Sequence, residues 1–90
     1  QETGKTKVAM MACFYKALLY YHAGDYLTAK EILEPLIIDY QSYEYMPELI
    51  SCFNLMGVIA YCEGEYILTR YFFKRGLKIA ENHKEKRVFM

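Results

Sequence analysis

The sequence predicts an all-α domain built from two antiparallel helix hairpins, with about four helices in total. Apolar residues recur at spacings of three and four, as at Tyr26, Ala29 and Leu33, and this is the period of a helix face rather than of a strand. Two segments also align with a shift of forty residues, which indicates an internal repeat. In both segments a glycine followed by an acidic residue interrupts the helical pattern, at Gly24 and Gly64, as expected for helix ends.

The composition restricts the chain to one small domain. Of its 90 residues, 54% are hydrophobic and 24% are charged, a balance too apolar for a disordered segment. Eleven basic and eleven acidic residues cancel, which argues against a globally basic nucleic-acid binder. The longest nearly apolar run, residues 8–21, is too short to span a bilayer. An odd number of cysteines, three, favours free thiols over a disulfide framework, so we expect a cytoplasmic protein.

The first helix of each hairpin is apolar on nearly all sides. These helices are predicted over residues 8–23 and 48–63, and Pro47 suits a first helical position. Helices of this kind pack against neighbours on several sides. Their cysteines are therefore expected to be small buried free thiols, namely Cys13, Cys52 and Cys62.

The second helices are predicted to begin near Asp25 and Glu65, where a negative charge favours a helix start. Pro35 lies within the first of them and is expected to bend or end it, and residues 40–47 would link the two units. The predicted units are 8–40 and 48–83, with a possible third beginning at 84–90. Because the chain starts with Gln1 and ends on an apolar pair, we expect it to be part of a longer protein.

An apolar helix, a Gly-Asp/Glu-Tyr corner and a small residue three positions after the Tyr together resemble the tetratricopeptide repeat (TPR) family. The family pattern reads W-x2-L-G-x2-Y, then A-x3-F, then P. Its central positions are occupied by Ala17, Tyr20, Ala29 and Leu33 in the first unit and by Gly57, Ala60, Thr69 and Phe73 in the second. The Trp, first Leu and Pro positions depart from the pattern and hold Cys13, Lys16 and Gln41, then Phe53, Met56 and Glu81.

The resemblance covers residues 8–83 and implies a short right-handed superhelix of helix pairs. The forty-residue period is longer than the usual 34. It is similar to the longer TPR arrays of bacterial regulators, such as transcription activators, quorum-peptide receptors and the sensory arms of diguanylate cyclases. HEAT and armadillo repeats have periods near forty but lack the Gly-Asp-Tyr corner.

By the same resemblance, the first helices would line a concave groove that binds a peptide or a helix. The positions that usually face the ligand are Met11, Phe14, Leu18, Tyr21 and His22 in the first unit and Ser51, Asn54, Val58, Tyr61 and Cys62 in the second. Phe14 and Leu18 stand where the carboxylate clamp of some family members needs Lys and Asn, so we expect an apolar groove instead. The alternative is that these residues contact another helix of the parent protein.

Charge is unevenly distributed along this neutral chain. Residues 25–65 contain eight acids and one base, whereas residues 70–90 contain seven bases and two acids. Arg70, Lys74 and Lys78 form a basic stripe at spacings of four. In stacked hairpins the stripe is expected to face acids of the second helix, namely Glu31, Glu34 and Asp39. The alternative is a patch for nucleic acid or an acidic partner.

The sequence contains no motif for catalysis, for a metal or for a phosphate loop. His22 and His83 are far apart in the chain, and no glycine-rich loop precedes a helix. We therefore predict a non-catalytic, cofactor-free protein-interaction module, serving as a sensory or regulatory segment of a larger protein. One alternative is a structural or oligomerisation segment that packs against adjacent domains or copies of itself. Another is an enzyme or nucleic-acid binder in its own right.

Overall fold

The computed structural model describes the backbone of residues 6–88 and the side chains of residues 6–83. Its helices are α1 (Lys7–His22), α2 (Tyr26–Ser42), α3 (Met46–Cys62) and α4 (Tyr66–Val88). No strand occurs in this described part of the chain, so the predicted all-α class with helical hairpins is confirmed. α1 packs on α2 and α3 packs on α4, while α2 also packs on α3 and α1 meets α3 over a short stretch. None of these helices, within residues 6–88, has the length and apolarity needed to cross a membrane.

Three turns of the same construction join the helices. Each contains one residue with a positive φ, which is 82° at Gly24, 57° at Glu44 and 79° at Gly64. The residue that follows donates its N–H to a carbonyl five positions back, as Asp25 does to Tyr20 at 2.9 Å. This is the 6→1 hydrogen bond of the Schellman motif, which satisfies a carbonyl that the ending helix leaves free.

The turn between the two hairpins is shorter than the predicted linker over residues 40–47. α2 continues to Ser42 and α3 begins at Met46. Glu44 adopts the left-handed conformation that glycine usually supplies, and the rings of Tyr40 and Tyr45 pack 6.1 Å apart across the turn. The linker prediction is therefore wrong, because a turn without glycine has no signal in the sequence pattern.

Pro35 does not end α2, which runs on to Ser42. A proline has no N–H to donate to the carbonyl four residues earlier, here that of Glu31. Both residues are exposed, so water can hydrogen-bond to that carbonyl. Of the two expected effects of Pro35, a bend or an end of the helix, the helix end is therefore wrong, and the bend stays a prediction.

The remaining helix boundaries lie within two residues of those predicted, except that α4 runs to Val88 and the second unit was predicted to end at residue 83. The side chain of Asp25 caps α2 by accepting a hydrogen bond from the N–H of Thr28 at 3.2 Å. Pro47 is the second residue of α3 rather than the first. Residues 84–88, where a third unit was predicted to begin, lie within α4, and residues 89–90 lie outside the described residues.

α3 occupies the centre of the structure. Eight of its residues are buried, including Cys52 and Ile59. α1 buries only Met10 and Ala17, and its Leu19 is 71% exposed. The prediction that both first helices pack on several sides is thus right for α3, which lies between α2 and α4, and wrong for α1, which packs mainly on α2.

In the second hairpin a small residue, Gly57, lies against a larger one, Phe73, where α3 packs on α4. A Cβ atom placed on Gly57 would lie 2.5 Å from Cε1 of Phe73, so a larger side chain requires that ring to move. The same repeat positions of the first hairpin hold Ala17 and Leu33, which are both fully buried. A smaller partner therefore accompanies the larger one, and the total volume stays similar between hairpins.

Replacing Gly64 with Ala should lower the free energy of unfolding by about 1 kcal/mol, because a side chain is strained in the left-handed region. No atom beyond the adjacent residues lies within 4 Å of the added Cβ, so the effect comes from the backbone alone. Glu44→Ala is the matched control, with a change within about 0.5 kcal/mol, since that turn already tolerates a side chain. Urea unfolding followed by circular dichroism measures both variants, and equal losses would contradict this explanation.

Gly57→Ala should lower the free energy of unfolding by about 1–3 kcal/mol, because the new methyl group overpacks against Phe73. In a Phe73→Ala background the same change should instead stabilise the protein by up to about 1 kcal/mol, since Ala favours a helix interior over Gly. The wild type, both single variants and the double variant form a cycle measured by urea unfolding. Simple additivity would show that the Phe73 ring does not limit the size of residue 57.

Candidate functional site

A small cavity lies where α1, α3 and the end of α2 meet, at one end of the predicted groove. Its volume is about 200 Å³. Three predicted groove residues line it, namely Met11, Phe14 and Ser51. The other lining residues are ones that sequence reasoning did not single out, namely Tyr15, Tyr40 and Glu48. The cavity therefore joins residues from three helices, of which only two were expected to contribute.

Tyr40 is the most deeply buried of the lining side chains, with 1% of its surface exposed. Burial raises its pKa to about 12, and the nearby Cys52 and Glu48 add to the shift. Like an ordinary tyrosine, it is protonated at neutral pH, so its hydroxyl can act as a hydrogen-bond donor. Sequence reasoning missed this residue because position 40 was assigned to a linker instead of the last turns of α2.

The polar side of the cavity is Glu48, which is paired with a lysine of α1. Lys7 Nζ lies 3.3 Å from Glu48 Oε2 and 4.9 Å from the centre of the Tyr45 ring, within the range of a cation–π contact. The Ser51 hydroxyl donates to the Pro47 carbonyl of its own helix at 3.2 Å. Both polar groups thus have partners inside the protein, and the rest of the cavity wall is apolar or aromatic.

Tyr21 and His22 lie at the other end of α1, away from the cavity, with ring centroids 5.0 Å apart. The pKa of Tyr21 is raised, first by burial and then by Cys62 at the end of α3. The pKa of Tyr26 is also raised, chiefly by a hydrogen bond with Cys62. These effects indicate that the turn between α1 and α2 lies near the last turn of α3.

The remaining predicted groove residues do not line the cavity. Asn54 lies beside α4, where a Cβ on Gly76 would be 3.3 Å from its Oδ1, and the Tyr61 ring packs 5.6 Å from that of Tyr66. Two others, Leu18 and Val58, are half-buried along the same helices. The structure thus brings Met11, Phe14 and Ser51 together and distributes the other seven residues along α1 and α3.

The predicted basic stripe is exposed along α4, at Arg70, Lys74 and Lys78. The backbones of α2 and α4 do not approach each other in the described residues, so the expected pairing of the stripe with acids of α2 is wrong. The reason is that α3 lies between the two helices. α2 instead forms an ion pair with the residue that follows α3: Lys30 Nζ lies 3.0 and 3.1 Å from the two carboxylate oxygens of Glu63.

The three free cysteines differ in exposure. Cys52 is buried, Cys13 is half-buried and Cys62 is exposed, so the expectation of three buried thiols is wrong for Cys62, which is the last residue of α3. Burial, with a smaller effect of Glu48, raises the pKa of Cys52 to about 12. Among the described residues, no group of three His, Cys, Asp or Glu side chains could hold a metal ion.

Comparison with known proteins does not assign the chain to a family. No protein-family model matches it, and no curated protein or solved structure matches it either. The resemblance to the TPR family thus stays a prediction, based on the Gly-Asp/Glu-Tyr corners and the spacing of small residues.

At pH 8, iodoacetamide should alkylate Cys62 at least about tenfold faster than Cys52, because the thiolate is the reactive form and Cys52 is both buried and raised in pKa. In urea the rates should become similar, which shows that the difference depends on folding. Peptide mass spectrometry measures each rate, and a Cys62→Ala variant serves as the control for assignment. Equal rates in the folded protein would contradict the burial of Cys52.

Proposed function

We propose that the chain is a non-catalytic protein-interaction module of the TPR type, which binds a peptide or a helix of a partner protein along α1 and α3. The observation that carries this proposal is the cavity lined by Met11, Phe14 and Ser51. It lies where neighbouring repeat units meet, and α1 beside it is only partly covered by the rest of the protein. A partner can therefore reach both the cavity and the adjoining helix surface.

The size of the cavity favours one anchoring side chain over a complete small-molecule ligand. Its volume of about 200 Å³ is below the roughly 300–1,000 Å³ typical of small-molecule pockets. A peptide that inserts one residue here would lay its neighbours on the surface of α1. Met11, which is 40% exposed, supplies a flexible thioether that can adapt to the shape of the anchor.

The chemistry of the wall favours an apolar or aromatic anchor. Phe14, Tyr15 and Tyr40 contribute rings, and rings of this kind bind other aromatic groups and aliphatic chains. The one carboxylate, that of Glu48, is already paired with Lys7. The cavity offers no unpaired cation for a peptide carboxylate among its lining residues, so recognition of a chain terminus is not expected.

We place this module in a sensory or regulatory segment of a larger bacterial protein, where peptide binding would be transmitted to an adjacent domain. This part of the proposal draws on the forty-residue period, which is similar to that of the longer TPR arrays of bacterial regulators. The exposed free thiol of Cys62 fits a reducing compartment such as the cytoplasm.

Phe14→Ala should weaken peptide binding at least about tenfold, because it removes a ring from the cavity wall and truncated anchor contacts commonly cost more than 1 kcal/mol. The probe is a displayed library of helical peptides, selected on the 90-residue chain and then titrated by fluorescence anisotropy. Leu27→Ala is the matched control, since Leu27 is 65% exposed on α2 and does not line the cavity.

Two results would overturn the proposed function. One is that selection yields no peptide that binds the folded chain. The other is that the selected peptides bind Phe14→Ala and Leu27→Ala equally well while circular dichroism shows both variants to be folded. A loss of binding only in Phe14→Ala would support the cavity as the anchor site.

A further inference from the structure

One face of α4 carries apolar residues that the described structure leaves only partly covered. Tyr66, Phe73 and Leu77 are 64%, 41% and 60% exposed, and Arg70 lies among them. The four positions follow the helical spacing i, i+4, i+7 and i+11, so they form a single stripe along α4. We call this stripe the outer face of α4.

The internal repeat shows how such a face is covered elsewhere in the same protein. Forty residues earlier, the matching positions of α2 are Tyr26, Lys30, Leu33 and Ile37. All four are half-buried or buried, and Leu33 is fully buried. The difference arises because α3 packs against α2, whereas no described helix occupies the corresponding place on α4. A helix is therefore the form of partner that this face fits.

In the first unit, an ion pair accompanies the apolar contact between α2 and α3. Lys30 bonds both carboxylate oxygens of Glu63, which directly follows α3. Arg70 is the repeat equivalent of Lys30, and a guanidinium can bind a carboxylate with two hydrogen bonds. Lys74 and Lys78 lie beside the outer face, at the positions that Glu34 and Ile38 occupy in the first unit. α4 therefore presents more positive charge than α2 does at the matching positions.

We propose that the outer face of α4 binds an acidic amphipathic helix of a partner protein, in the place that α3 takes on α2. Apolar residues of the partner at i, i+3 or i+4, and i+7 would cover Tyr66, Phe73 and Leu77. Acidic residues would pair with Arg70 at one end and with Lys74 and Lys78 along the side. This surface is separate from the cavity beside α1, so it adds a second binding site to the proposed module.

A second copy of the chain fits this face less well than an acidic helix. The repeat equivalent of α3 in another copy is α1, which has Ala23 where α3 is followed by Glu63. α1 also carries Lys7 and Lys16 and, within residues 7–22, no acidic residue. Stacking α1 of one copy on α4 of another would therefore bring like charges together, which is unfavourable.

The test uses a labelled peptide with the sequence of residues 45–65, which contains α3 and the acids Glu48, Glu63 and Glu65. Fluorescence anisotropy should show that it binds the 90-residue chain. Arg70→Glu in the protein should weaken binding about tenfold, and so should Glu63→Lys in the peptide. Combining the two reversed charges should restore most of the affinity. Arg70 is exposed, so circular dichroism should show that this variant stays folded.

Two further variants locate the contact. Leu77→Glu should also weaken binding about tenfold, whereas Leu68→Ala, on the opposite side of α4, should leave it unchanged. Phe14→Ala should have no effect on this peptide, so a failure of the groove proposed above is distinguishable from a failure of the outer face.

Several outcomes would overturn the proposal. Peptide binding that is insensitive to Arg70→Glu and Leu77→Glu would place the contact elsewhere, and sensitivity to Lys30→Glu alone would mean that the peptide displaces α3 from α2. Self-association in sedimentation experiments that is lost in Leu77→Glu would identify a second copy as the occupant. Binding of duplex DNA that depends on Arg70, with no binding of the peptide, would identify the face as a nucleic-acid surface.

Discussion

The whole arrangement depends on a left-handed residue in each of three short turns. Gly24, Glu44 and Gly64 are spaced by twenty residues and have positive φ, so α2 and α3, each taken with the turn that follows it, have the same length. A helix advances about 100° per residue around its axis. One extra or missing residue in a turn would therefore rotate the apolar side of the next helix away from its neighbours. The regular spacing of the turns thus keeps the apolar side of each successive helix against its neighbours.

Because the helices are layered in chain order, burial is greatest in the middle and decreases toward both sides. α3 contacts α2 and α4 and buries eight residues, while α1 and α4 each leave one apolar side uncovered. Repeat structures hold together through contacts between neighbouring units, so the surfaces with the fewest contacts lie on the flanking helices, α1 and α4. The cavity beside α1 and the outer face of α4 both belong to these surfaces, which is why they are the places where a partner would gain most contact.

The features that local sequence signals encode were predictable, and those that depend on distant contacts were not. Glycines followed by acids identified two turns, and the helical spacing identified the helices. The turn at Glu44 was missed because no glycine marks it, and with it the contribution of Tyr40 to the cavity. The pairing of the basic stripe with α2 failed for a different reason: the sequence pattern does not show that α3 separates α2 from α4. Of the candidate groove, Met11, Phe14 and Ser51 line the cavity, but the pattern could not distinguish them from the other seven residues.

The matched pairs of small and large residues have a consequence for how the chain reaches its folded state. The two hairpins are similar enough in sequence that α1 could in principle associate with α4, or α3 with α2, in the arrangement meant for a hairpin. An α1–α4 hairpin would place the side chain of Ala17 against Phe73. In the native hairpin, the Phe73 ring leaves no room for a Cβ atom on residue 57, so Ala17 would clash with this ring. The reverse pairing of Gly57 with Leu33 would leave a void. The volumes at these crossings therefore disfavour exchanged hairpins, a common failure of repeat proteins during folding, and direct each helix to its own partner.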